Sequence, residues 1–190
     1  MTAATDALVL QSRDGRGVVT LTLNRPQAFN ALSEAMLTAL QSQLDAVAED
    51  DSIRVVVLAA AGKAFCAGHD LKEMRAGPSL GYYQRLFAQC TQVMLSLQKL
   101  PVPVIARVQG IATAAGCQLV AMCDLAVATS DAKFAVSGVN FGLFDAQRRA
   151  VAQPEPQGGV RDAGDGGLHR CAAGAGKRPD QPRGPSRWPG

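Results

Sequence analysis

Aromatic side chains are scarce in this 190-residue chain, at 5% of residues with a single tryptophan, while hydrophobic residues make up 47%. That balance suits an ordinary soluble α/β protein of one domain with a full core. Histidine is scarcer still, and His69 and His169 are too few and too isolated for a metal site. The five cysteines, Cys66, Cys90, Cys117, Cys123 and Cys171, are odd in number and show no CxxC spacing. They read as buried free thiols rather than as a disulfide framework or a zinc cluster. No apolar run approaches membrane-spanning length. Met1 to Asp6 lacks the basic and apolar regions of a secretory signal and the arginines of a transit peptide, so the expected location is the cytoplasm.

An excess of either charge is also missing from most of the chain. Residues 1–144 hold 11 Lys+Arg and 11 Asp+Glu, so the net charge of +3 comes wholly from residues 145–190, with 8 and 5. A balanced folded part lacks the footprint of a nucleic-acid-binding domain, and nucleic acid is not an expected partner.

The hydrophobic pattern alternates strands with helices. Leu8–Gln11 and Val18–Leu23 read as a hairpin turned by Asp14-Gly15-Arg16-Gly17. Ser33 caps a helix reaching about Glu49, with Met36, Leu37, Leu40, Leu44 and Val47 on one face. Val55–Leu58 reads as a strand buried on both faces, followed by a small-residue loop from Ala59 to Asp70. A helical turn at Leu71–Arg75, a long helix from Leu80 to Leu100, and strands at Val102–Val108, Leu125–Thr129 and Phe134–Val136 complete the order. The repeated strand-then-helix unit places the chain in the α/β class.

Gly110-Ile111-Ala112-Thr113-Ala114-Ala115-Gly116-Cys117-Gln118-Leu119 follows the strand at Val102–Val108 and leads into a helix around Val120–Asp124. A tight small-residue turn opening a helix leaves backbone N–H groups free. Such donors can hold an anion, or an oxygen on which negative charge develops. The position where a catalytic carboxylate could follow holds Gln118, an amide that serves as neither acid nor base.

These segments resemble the enoyl-CoA hydratase/isomerase (crotonase) superfamily, and within it the hydratase domain-containing paralogues that lack the usual acids. The resemblance rests on Leu23-Asn24-Arg25-Pro26 with Phe29-Asn30-Ala31-Leu32, on Lys63 to Met74, on Pro101 to Ala106, on Gly110 to Leu119 and on Met122 to Ala126. It covers roughly residues 8–144. It implies a ClpP/crotonase-like spiral of ββα units, an acyl-CoA thioester as substrate or ligand, no further cofactor, and a homotrimer or hexamer. It implies that the N–H groups of His69 and Ala115 polarise the thioester carbonyl, and that His69, Asp70, Leu71, Lys72 and Ala115 lie along the bound coenzyme A. Hydratases place two glutamates at the positions that here are Gln118 and Gly138, so hydration by the usual route is not expected. Other readings stay open beside these. Lys72 can be a solvated lysine, the His69 imidazole a structural group, Asp70 and Asp124 backbone-bonding caps, Ser137 a strand-end hydroxyl, and Cys66 and Cys117 inert thiols.

Residues 145–190 differ in kind, with 9 Gly and 6 Pro in 46 positions. Such a stretch buries too little apolar surface to offset its ordering entropy, so a disordered tail is expected after a 1–144 domain. The resemblance stops at Phe141-Gly142-Leu143-Phe144. Read one base later, the degenerate codons from Asp145 onward permit segments like those of the family, beginning Thr-Pro-Ser-Val-Ala-Leu-Ser-Arg-Asn. A small insertion or deletion near codon 145 is therefore expected; the alternative is a native basic tail that engages nucleic acid or an acidic partner. The family's C-terminal helices, which close the core and build the trimer, have no counterpart here. The expected consequences are uncovered apolar faces and, as a second reading of function, a non-catalytic product of a damaged gene.

Overall fold

The computed structural model describes residues 7–136 and, as backbone, residues 169–170. Gly138, Ser137, Cys171 and the 144/145 boundary lie outside the described residues, as does nearly all of the tail.

The chain winds as successive strand–strand–helix turns. β1 (Val9–Arg13) and β2 (Val18–Leu23) form the expected antiparallel hairpin, with Val9 opposite Leu23. The Asp14 carboxylate takes the N–H groups of Arg16 and Val18 and so fixes the turn. α1 (Glu34–Ala48) follows, and the Ser33 hydroxyl caps it by accepting from Met36 N–H at 3.1 Å. All five residues of its anticipated apolar face are buried.

The next turn is β3 (Val55–Ala60), β4 (Ala64–Cys66), then α2 (Leu71–Ala76) and α3 (Leu80–Lys99). A third comprises β5 (Val104–Val108), β6 (Ile111–Thr113) and α4 (Ala115–Met122); β7 (Leu125–Ala128) and β8 (Lys133–Ala135) begin a fourth. The strands sort into two sheets. One has the order β1-β2-β3-β5-β7 and is parallel after the first hairpin; the other runs β4-β6-β8 in parallel. A two-residue strand, β9 (His169–Arg170), pairs antiparallel with β8. This is the crotonase-like ββα spiral that the resemblance implied.

Four local expectations need correction. The loop from Ala59 to Asp70 contains β4, and the presumed turn at Gly110–Ala114 contains β6. Helix α4 begins at Ala115 and ends at Met122, so Cys123 and Asp124 lie beyond it. β3 alternates, with Val56 and Leu58 fully buried and Val55 and Val57 only half-buried.

The core is continuous from Leu21 and Leu23 through Leu37, Leu40 and Leu44 to Phe65, Leu97 and Leu119. Phe65 and the leucines among these are almost wholly removed from water, each contributing about 1.5–3 kcal/mol of burial. Elsewhere apolar surface is uncovered, as expected. All four residues of β7 are exposed, with Leu125 at 61% and Val127 at 63%. Among the described residues no helix is long and apolar enough to cross a membrane, and no group of three or more metal-ligating side chains forms.

Candidate functional site

Two loops meet where the small sheet ends. The first, Ala67–Asp70, leaves β4; the second, Ala114–Ala115, leaves β6 and opens α4. Two glycines allow the approach. A Cβ on Gly68, whose φ is +86°, would lie 2.9 Å from Ala114 Cβ and 3.3 Å from Ala115 N. A Cβ on Gly116 would lie 2.2 Å from the Cys66 carbonyl oxygen, a contact no real Cβ makes. Thr113 Oγ1 donates to Ala67 O at 3.0 Å and ties the loops further.

The direction of the His69 amide follows from its neighbours. Leu32 N–H donates to Gly68 O at 2.8 Å, and Asp70 N–H donates to Leu32 O at 3.2 Å. Because adjacent peptide groups in extended chain face opposite edges, the His69 N–H points away from Leu32. At the second loop, Ala114 has φ 49° and ψ −126°, a conformation an alanine rarely adopts. Such strain costs on the order of 1–3 kcal/mol and persists only where its surroundings enforce it. Here Ala114 N–H is held by Ala135 O at 2.9 Å, while Ala114 O takes the N–H groups of Cys117 and Gln118. Among the described residues, the N–H groups of His69 and Ala115 donate to no protein acceptor.

The side chains around these amides are mostly committed. Asp70 caps α2: its Oδ1 accepts from Lys72 N–H at 3.0 Å and Glu73 N–H at 3.3 Å, and its Oδ2 pairs with Arg25 at 2.7 Å. Partial burial would raise its pKa, but the Arg25 guanidinium and the two helix amides outweigh that and hold the carboxyl below its ordinary range. Glu73 reaches across to Glu34 N–H at the start of α1. The His69 imidazole packs edge-to-face on Phe87, with centroids 5.3 Å apart. Burial lowers its pKa, opposed by the nearby Leu32 backbone, so the ring is neutral at pH 7. No hydrogen bond of ordinary geometry forms at Nδ1, which is buried without a partner.

Leu71 and Lys72 have exposed side chains, and the Lys72 ammonium makes no ion pair among the described residues. Gln118 lies half-buried one turn beyond Ala115 and therefore on the same helix face. Burial pushes the Cys66 thiol up to about 12, so it is protonated at neutral pH and inert. Asp124 accepts from Val104 N–H at 2.9 Å and is a backbone tie.

Three residues outside the anticipated set organise the loops. Asn30, wholly buried at φ 54°, accepts from Arg25 N–H at 2.8 Å and donates to the carbonyls of Ala61 and Ala64. Arg25 holds Asp70. The Gln109 amide bonds the carbonyls of Ala60 and Gly62. Arg25 and Asn30 stand within segments that carry the resemblance, but a long-range side-chain bond to a loop carbonyl leaves no periodic trace in sequence.

Spiral and paired loops together define an α/β protein of two sheets, with two loops meeting at the end of the smaller one. The family model for enoyl-CoA hydratase/isomerase matches residues 13–153, and the chain belongs to this family. It is 47% identical over 140 residues to a Xenopus laevis enoyl-CoA hydratase domain-containing protein 3, covering 74% of this chain and 47% of that protein. A crystal structure of an enoyl-CoA hydratase from Mycobacterium smegmatis superposes with TM-score 0.71 at 76% identity, covering 73% of this chain and 54% of that one. Human enoyl-CoA hydratase domain-containing protein 3 gives TM-score 0.69 at 43% identity, covering 74% and 55%. The chain thus spans about half the length of the curated relatives it matches. The Xenopus and human relatives are named mitochondrial, which overturns the cytoplasmic location expected from the first six residues. An address is carried separately from the domain it delivers, so domain composition does not report it.

Proposed function

We propose that this domain binds an acyl-coenzyme A thioester and holds its carbonyl oxygen between the N–H groups of His69 and Ala115. The observation that carries this reading is the seating of Gly68 against Ala114 and Ala115 beside two uncommitted amides. Amides fixed before the substrate arrives stabilise an enolate-like oxygen without reorganising during the reaction. The coenzyme A would run along residues 69–72, with the exposed Lys72 ammonium available to a phosphate. Asp70 contributes only its backbone, because its carboxylate is occupied by Arg25 and the start of α2.

Standard hydration is not part of the proposal. Gln118 carries no ionisable proton, and Gly138, which lies outside the described residues, has no side chain. Each missing acid or base removes about 100- to 10,000-fold in rate. The His69 imidazole packs against Phe87, and the Asp70 and Glu73 carboxylates are already bonded to Arg25 and to the first turns of α2 and α1.

Thermal unfolding with acetyl-CoA and crotonyl-CoA tests the binding claim. The midpoint should rise with ligand concentration; no rise at millimolar ligand contradicts it. Crotonyl-CoA hydration tests the second claim, and turnover near that of an ordinary hydratase contradicts it.

A further inference from the structure

The Arg25–Asp70 ion pair joins segments 45 residues apart in sequence, and both partners are largely shielded, with side chains 28% and 10% exposed. Each is fixed independently of the other. Arg25 donates its N–H to Asn30 Oδ1, and its carbonyl accepts from Ala28 and Asn30. Asp70 is held by Leu32 O at its own N–H and by the first turn of α2 at its carboxylate. Capping alone does not call for this arrangement, because asparagine or serine caps a helix about as well as aspartate and carries no charge. Position makes the charge matter: Asp70 directly follows His69, whose amide stands ready for an acceptor. A lone carboxylate one residue from that amide would oppose negative charge developing on a bound oxygen. With Arg25 at 2.7 Å, the local charge is cancelled.

The geometry points to Arg25 as a positioning residue acting through charge: it cancels the Asp70 carboxylate beside the His69 amide, so that the amide can take a thioester oxygen on which negative charge develops. This rests on the acyl-CoA reading above. It differs from a purely structural role in one respect. A structural pair is damaged by loss of either partner, whereas a charge balance is upset by removing Arg25 and restored by removing Asp70 as well.

The test uses the full chain with cinnamoyl-CoA, whose absorption moves to longer wavelength when its thioester carbonyl is polarised. Wild type, Arg25→Met, Asp70→Asn and the double variant are titrated to give both the dissociation constant and the red shift at saturation. Arg25→Met should weaken binding about tenfold, the low end for an uncompensated charge nearby at an effective dielectric near 20, and should shrink the red shift. Asp70→Asn, which keeps the cap, should give a red shift at least as large as wild type. The double variant should return the shift to the wild-type value. If the double variant resembles Arg25→Met, or Asp70→Asn falls below wild type, the pair is structural only and the inference is overturned. Should Arg25→Met fail to fold, Asp70→Asn alone decides by the same criterion. A wild-type red shift that Arg25→Met leaves intact overturns this inference alone. Absence of any red shift in the wild-type chain overturns the acyl-CoA reading, and this inference with it.

Discussion

The large sheet with α1 and the small sheet with its two loops are built by different means. In the first, shape comes from apolar side chains at helical or strand spacing: Met36, Leu37, Leu40, Leu44 and Val47 of α1 are buried in the same core as Val19, Leu21 and Leu23 of β2. In the second, shape comes from what is missing. Gly110 and Gly116 bring backbone against backbone at distances no Cβ permits, a Cβ on Gly110 lying 2.1 Å from Lys63 O, and Gly68 seats against the Ala114 side chain at φ +86°. The first region is stabilised by area buried, which tolerates substitutions of similar volume. The second is fixed by close approach and hydrogen bonds, which do not. The contrast teaches that one region depends on side-chain volume and the other on close backbone approach.

The largest expected effect sharpens that contrast. Gly116→Val drives a side chain into the Cys66 carbonyl and should cost more than about 3 kcal/mol, enough to unfold a marginal domain. Circular dichroism against denaturant checks it, and a stable Gly116→Val would break the account of the small sheet. Leu40→Ala, in the large region, should cost about 2–5 kcal/mol by transfer and cavity terms. Its folded fraction should bind acyl-CoA with unchanged affinity, which calorimetry at low temperature measures. Gly68→Ala inverts the pattern. Its φ of +86° strains an alanine by about 1–2 kcal/mol, yet the same change should abolish thioester polarisation. An unfolding curve paired with a cinnamoyl-CoA spectrum separates the two effects.

The smallest effect concerns pH. Burial lowers the folded-state pKa of His69 below 6.5, so the unfolded chain binds its proton more readily. The stabilisation is complete above pH 6.5 and is lost as pH falls through the lower folded value. His69→Gln should therefore flatten the decline in unfolding free energy from about pH 7 to pH 5. An unchanged slope would show that the ring is not held neutral by its surroundings.

Legibility in the sequence followed the same division. The hairpin, α1 and α3 could be read because period and caps agree with tertiary burial, as at Ser33 and Leu40. β4 and β6 could not, because three residues are too few to show a strand period; their pairing is imposed by Gly110 and Gly116. Of the candidate amides, those at the start of α4 were legible in the small-residue turn that opens it, and that of His69 only through family resemblance, since a backbone N–H has no side chain to announce it. Arg25 and Asn30 were visible as motif residues but not as the ties that aim the loops. The proposed reading-frame change falls on residues outside the described part, and sequencing across codons 140–150 tests it: an intact frame on both strands rejects it.

The most direct test of the two-amide site is the carbonyl stretch of acetyl-CoA labelled with 13C at the thioester carbon, measured by infrared difference spectroscopy on binding to the full chain. The account predicts a shift to lower wavenumber in the wild type that Gly68→Ala removes. Saturable binding with the stretch unmoved from its value in water would contradict it.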